Sequence, residues 1–236
     1  MSPIVSVVIH SYNRFDYLQN ALKSVHEQTL QDFEIILVND ESTDERYYKN
    51  TFGNKVKQID IRRNKNPRWT GSRQALINVG LEEASGKYIA LLDDDDIWMK
   101  NKLETQIGVM EDNYFQFSST EGFYGLGEFN PEEKYKLYNA EYFNKVLRKK
   151  YRWTKYLKNG KLPKIWNEEF LNVHNCCIAS TVMIHKDIVD KIGNFSNNNW
   201  APDWEYWKRV IKHTDCVYVD EPLLHWDSGS GDGKLY

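Results

Sequence analysis

Tyr88-Ile89-Ala90-Leu91-Leu92-Asp93-Asp94-Asp95-Asp96 is the stretch that decides the fold of this chain. The apolar run reads as a short buried strand, and four carboxylates follow it directly. Carboxylates crowded at a strand end repel one another. They are tolerable when solvated, or when a cation sits among them. Oxygen-only ligands suit a hard divalent ion such as Mg²⁺ or Mn²⁺. A metal held at the carboxyl edge of an α/β sheet is well placed to meet a phosphorylated ligand. A solvated acidic turn is the plain alternative, because charge runs are usually solvated.

Upstream, strand and helix patterns alternate. Ile4 to Ile9 is a β-branched run, and Leu18, Ala21, Leu22 and Val25 repeat at helical spacing. Phe33 to Val38 reads as a second buried strand. A polar turn with Asp40, Glu41, Ser42, Thr43 and Asp44 follows it. Val56 to Ile61 is predicted as a third strand. Leu76, Ile77, Gly80, Leu81 and Ala84 form a helical stripe that Gly86 ends. This alternation predicts a parallel, right-handed βαβ series, with its ligand outside the carboxyl ends of the strands.

Downstream the pattern is less regular. Leu103, Ile107 and Met110 continue a helix, and residues 113–170 are rich in aromatics and Lys with no clear period. Ile178, Ser180, Val182 and Ile184 alternate as a half-buried strand. Helices are expected near Ile188–Ile192 and Trp204–Ile211, and a last short strand at Cys216–Val219. The Gly/Ser-rich end, residues 228–236, reads as a flexible tail.

Bulk properties narrow the class. The 236 residues are 41% hydrophobic, enough for a folded core. A formal charge of −3 gives no global pull toward nucleic acid, and no nucleic-acid partner is expected. Cys176, Cys177 and Cys216 have no metal-ligand spacing and read as reduced thiols of a cytoplasmic protein. No apolar stretch approaches the ~20 residues of a membrane span, and no signal peptide is expected.

Several segments together resemble glycosyltransferase family 2. They are Ser6-Val7-Val8-Ile9-His10-Ser11-Tyr12-Asn13-Arg14, Phe33 to Asp44, Asn78 to Ile89, Leu92 to Gln106, and Gly193-Asn194-Phe195 with Asp203 to Arg209. The family usually has Pro at the position of His10, Arg at that of Ile77, and an acidic residue at that of Pro202. The resemblance implies an α/β GT-A fold: a Rossmann-like, mostly parallel sheet flanked by helices, with a less regular acceptor-binding half. It implies one domain over residues 1–236, with residues 1–112 as the nucleotide-sugar half and 113–227 as the acceptor half.

The resemblance also implies an activity, the inverting transfer of a sugar from a nucleoside diphosphate sugar, UDP first, to a hydroxyl of a glycan or other acceptor. Mn²⁺ or Mg²⁺ would assist. Asp95 matches the metal ligand of the D-x-D motif, and His225 is a candidate late ligand that could equally be a core histidine. The donor site would comprise Tyr12, Asn13, Arg14, Asp40, Asp93 and Asp94, with positive charge from Arg68 or Arg73. Asp203 matches the catalytic base, with Glu205 second; a helix N-cap is the alternative role for Asp203. Trp98 and Trp207 read as core side chains. Rival functions are a nucleotidyltransferase, which usually needs a Gly-rich loop not seen at residues 11–14, and a non-catalytic binding module. The acid-free stretch Lys145 to Lys164 is basic and interleaved with aromatics. It is a solvated surface, or a peripheral contact with anionic lipid, a phosphorylated acceptor or RNA.

Overall fold

The computed structural model describes residues 2–62, 72–196 and 201–229. Its first half runs β1 (Val5–Ser11), α1 (Phe15–His26), β2 (Phe33–Asn39), α2 (Arg46–Lys49), β3 (Val56–Asp60), α3 (Arg73–Glu83), β4 (Tyr88–Asp93), β5 (Ile97–Trp98) and α4 (Lys102–Asp112). Strands β3, β2, β1 and β4 lie side by side in that order, all parallel. Helices cover both faces, which is why these strands read as continuous apolar runs instead of alternating ones. Val7, Ile9 and Leu92 pack on one face against Leu18, Val25 and Leu103. Val8, Ile36 and Leu91 pack on the other against Leu76, Val79 and Trp207.

The second half extends the same sheet. It comprises β6 (Phe117–Gly125), β7 (Lys136–Leu137), α5 (Asn144–Lys150), β8 (Ile165–Trp166), α6 (Glu168–Val173), β9 (Met183–His185), α7 (Lys186–Ile192), α8 (Pro202–Val210) and β10 (Cys216–Asp227). From β4 the order continues β9, β6, β10, β5, with β7 on β6 and β8 on β10. β9 is antiparallel to both β4 and β6, and β10 is parallel to β6.

Four local expectations are corrected. Residues 113–170 contain a nine-residue central strand, β6, hidden because its middle is polar and fully buried: Ser118, Ser119, Thr120 and Glu121. That polarity is satisfied internally. Glu121 accepts from the backbone N–H groups of Gly122, Asn139 and Ala140 and from the Tyr218 hydroxyl. The last strand is twelve residues long, with register shifts on either side of Pro222, which cannot donate to the ladder. The alternation at 178–184 is a 3₁₀ turn, Ala179–Thr181, leading into the short β9, not one strand. Gly86 does not end α3, which stops at Glu83. It lets the chain pass against β1: an added Cβ would lie 2.6 Å from the Ser6 backbone nitrogen.

Candidate active site

The four aspartates form a tight turn closed by the Asp96 N–H donating to the Asp93 carbonyl at 3.2 Å. The turn sorts the side chains. Ligand oxygens of Asp93, Asp95 and Asp96 lie within 4.8 Å of one another. Asp94 joins a separate network: its carboxylate accepts from the Ser11 hydroxyl at 2.6 Å and from Arg14 at 3.1 Å. Ser11 in turn meets the buried Tyr47 hydroxyl at 2.5 Å, and that oxygen accepts from the Arg14 N–H at 3.0 Å. Asp94 therefore fastens the acidic turn to the end of β1. Burial pushes its pKa up to about 7, reinforced by Asp95 and Asp93 and opposed by Ser11 and Arg14.

Three carboxylates this close repel, and the folded chain balances them with arginines. Arg14 also pairs with Asp95 at 2.9 Å. Arg73, the first residue of α3, forms an ion pair with Asp93 and donates from Nε to His10 Nε2 at 2.9 Å. Burial alone would raise the Asp93 pKa, but Arg73, His10 and Arg14 together outweigh it and hold the carboxyl below its ordinary value. Burial, then Arg73, lowers His10 to about 4, so its ring is neutral and its Nε2 accepts. Asp96 is pushed well above the carboxylate range by burial and then by Asp93 and Asp95. One Asp96 oxygen accepts from the Asp227 N–H at 3.2 Å. The other, Oδ2, is buried with no partner in hydrogen-bond geometry. A buried, unpartnered oxygen facing two more carboxylates is a donor set that fits a hard divalent cation.

Asp203 belongs to the same electrostatic unit. Its charge and that of Asp93 both act on Arg73. It is not an N-cap: α8 starts after Ala201, Pro202 takes the first turn, and no side chain caps the helix. Asp203 Oδ1 is buried without a hydrogen-bond partner. Burial raises its pKa, Asp93 adds to this, and Arg73 opposes it. Glu205 is committed elsewhere, paired with Arg209 at 2.8 Å. Asn78 helps place this segment: its side chain both donates to the Phe195 carbonyl and accepts from the Phe195 N–H.

At the carboxyl ends of the first two strands, Ser11 and Asn39 are paired across β1 and β2. Tyr12 and Asp40 each follow by one residue, so they stand side by side at the carboxyl edge. Asp40 is fully buried, and its N–H donates to the Ser11 carbonyl at 3.0 Å. Asn13 takes a structural part. Its φ of +50° turns the chain, and its side-chain oxygen accepts from the N–H groups of Thr43 and Asp44. Asn carries this left-handed conformation more readily than most residues.

His225 is not brought into the acidic group. It is fully buried, with Nε2 at 3.0 Å from the Gly127 carbonyl and its ring against Phe129 and Tyr135. Among the described residues the group that could hold a metal ion is Asp93, Asp95 and Asp96, without His225. Trp98 and Trp207 are both core. Arg68 lies outside the described residues. Sequence reasoning placed Asp96 in the acidic run but gave it no ligand role, and it gave no role to His10, Ser11, Tyr47 and Ser180. The one available signal was His10, a polar residue ending an otherwise β-branched strand.

The model of Glycosyl transferase family 2 matches residues 6–193. An uncharacterized glycosyltransferase of Rickettsia bellii (strain RML369-C) is 42% identical over 116 residues, 49% of this chain and 16% of that protein. Residues 1–349 of S. aureus TarS, in complex with UDP-GlcNAc, superpose with a TM-score of 0.68 at 16% identity, covering 100% of this chain and 62% of that one. The mannosyltransferase PcManGT from Pyrobaculum calidifontis, in complex with GDP-Man and Mn²⁺, gives a TM-score of 0.66 at 14% identity, covering 98% of this chain and 59% of that one. The chain belongs to glycosyl transferase family 2, and its central sheet flanked by helices is the GT-A fold. It spans less than a fifth of the Rickettsia relative and about 60% of the two solved chains.

Proposed function

We propose that this chain is the catalytic domain of an inverting glycosyltransferase that uses a nucleoside diphosphate sugar, with UDP as the first nucleotide to test. The observation that carries this reading is the half-buried Asp203, whose Oδ1 is buried without a hydrogen-bond partner and whose charge acts on Arg73 together with that of Asp93. The TarS complex with UDP-GlcNAc supports a UDP-sugar, while the PcManGT complex keeps GDP-sugars in the screen.

In this reading Asp203 accepts the proton of an acceptor hydroxyl. The acceptor oxygen forms the new bond to the anomeric carbon as the bond from that carbon to the diphosphate oxygen breaks. The electron pair leaves with the diphosphate. One displacement with one base inverts the anomeric centre. A divalent ion held by Asp93, Asp95 and Asp96 would supply countercharge to the leaving diphosphate. Arg73 adds fixed positive charge and opposes the upward shift that burial gives the Asp203 pKa. Tyr12 and Asp40 would receive the nucleobase at the β1 and β2 ends.

A screen of UDP-, GDP- and dTDP-sugars, each with Mn²⁺ or Mg²⁺ and no acceptor, tests the reading through slow nucleotide release. The expected result is release from one nucleotide class, abolished by chelator. Binding of nucleotide with no release from any donor would contradict it.

A further inference from the structure

We infer that residues 145–164 form a docking surface for an anionic lipid bilayer. The segment carries nine Lys or Arg residues and no Asp or Glu, in a chain whose formal charge is −3. Lys145, Arg148, Lys149, Lys150, Arg152, Lys155, Lys158, Lys161 and Lys164 are all exposed. Among the described residues, Lys155 alone of these pairs with a carboxylate, that of Glu169 at 2.6 Å.

The surface is held in place from below. Leu147, Tyr151 and Leu157 are buried in the core on the α3 face of the sheet. The Tyr151 hydroxyl donates to the Phe170 carbonyl at 3.0 Å, and its ring stacks on Phe170 in α6. From α6, the Leu171 carbonyl accepts from the indole N–H of Trp204, the neighbour of Asp203. The basic surface is thus tied through α6 to the helix that carries Asp203, and a bilayer under it would lie on the Asp203 side of the sheet.

Exposed apolar side chains distinguish a bilayer from a polyanion. Trp153 is 86% exposed, with the Arg152 guanidinium 5.2 Å from its ring, and Ile165 and Val146 are 48% and 40% exposed. Trp prefers the headgroup level of a bilayer, and clustered Lys and Arg are drawn to anionic headgroups. Exposed Ile and Val add nothing to the binding of nucleic-acid phosphates. The described residues contain no helix long and apolar enough to cross a membrane, so this contact would be peripheral.

Vesicle co-sedimentation tests the inference, because it reads binding and does not depend on which sugar is moved. The probes are phosphatidylcholine vesicles with and without 30% phosphatidylglycerol, about the anionic content that attracts polybasic segments. The chain is expected to bind the anionic vesicles, not the neutral ones, and to release them in high salt. The triple variant Arg148→Glu, Lys149→Glu, Arg152→Glu should lower the partition coefficient on the order of 100-fold. Trp153→Ala should lower it about fivefold. These positions are exposed, so thermal melting and acceptor-free donor hydrolysis should stay unchanged. Equal binding to neutral vesicles, or an unchanged partition in either variant, would overturn the inference. Preferential capture of a single-stranded RNA oligonucleotide over anionic vesicles would also overturn it, in favour of a nucleic-acid surface.

Discussion

Arg73 and Asp93 form an ion pair between the start of α3 and the end of β4, and the same guanidinium acts on Asp203. One arginine thus acts on both the acid cluster and the proposed base. Replacing it with Gln should leave Asp93 without this partner and cost on the order of 1–2 kcal/mol of stability, less than a fully buried pair because both side chains are about a quarter exposed. Because Arg73 opposes the upward shift of Asp203, its loss should move the acid limb of the kcat/KM profile to higher pH. A pH profile of Arg73→Gln with an unmoved acid limb would disconnect the two residues.

Divalent ions should stabilise the fold through the acidic turn. At a hundredfold excess over Kd, Mn²⁺ should add about 2.7 kcal/mol, which is roughly 5–10 °C in Tm for a chain of this size. Asp95→Asn and Asp96→Asn should each remove most of that increment. Differential scanning fluorimetry with and without Mn²⁺ checks this; an undiminished shift in both variants would place the ion elsewhere.

His10 should make stability depend on pH. Its folded pKa of about 4 lies below the ordinary 6.5. Between these values the unfolded chain binds a proton that the folded chain does not. Its stabilising contribution is therefore complete above pH 6.5 and is lost as pH falls toward 4. The shift corresponds to about 3 kcal/mol at ~1.36 kcal/mol per pKa unit. Urea unfolding of the wild type and His10→Gln should show their difference shrinking by about that amount between pH 7 and pH 4. Parallel stability profiles for the two proteins would contradict the assignment.

Gly86→Ala should destabilise by about 1–3 kcal/mol, because the new methyl meets β1 backbone and not a movable side chain. An unchanged denaturation midpoint would show that β1 and the β4 approach can separate without loss.

The sheet's parallel half was legible because its strands are buried on both faces and announce themselves as apolar runs. β6 was not, because Ser118 to Glu121 are satisfied by partners distant in sequence, such as Thr181 and Tyr218. Family resemblance pointed to Asp95 and Asp203, but not to the networks that hold them. The roles of Asp94 and Asp96 depend on how one turn sorts four identical side chains. Asn13 likewise reads as a cleft residue until its carboxamide is seen capping the turn at Thr43 and Asp44.

The most direct test of the central claim is the turnover of Asp203→Asn at saturating donor, measured with its donor Kd. Asn keeps the shape but cannot accept the proton. Turnover should fall about 10²-fold or more, with donor affinity unchanged. Tm should not fall, since a carboxylate whose Oδ1 is buried and unpartnered is removed. Full turnover would place the base elsewhere, and joint loss of donor affinity and turnover would make Asp203 a binding or structural residue instead.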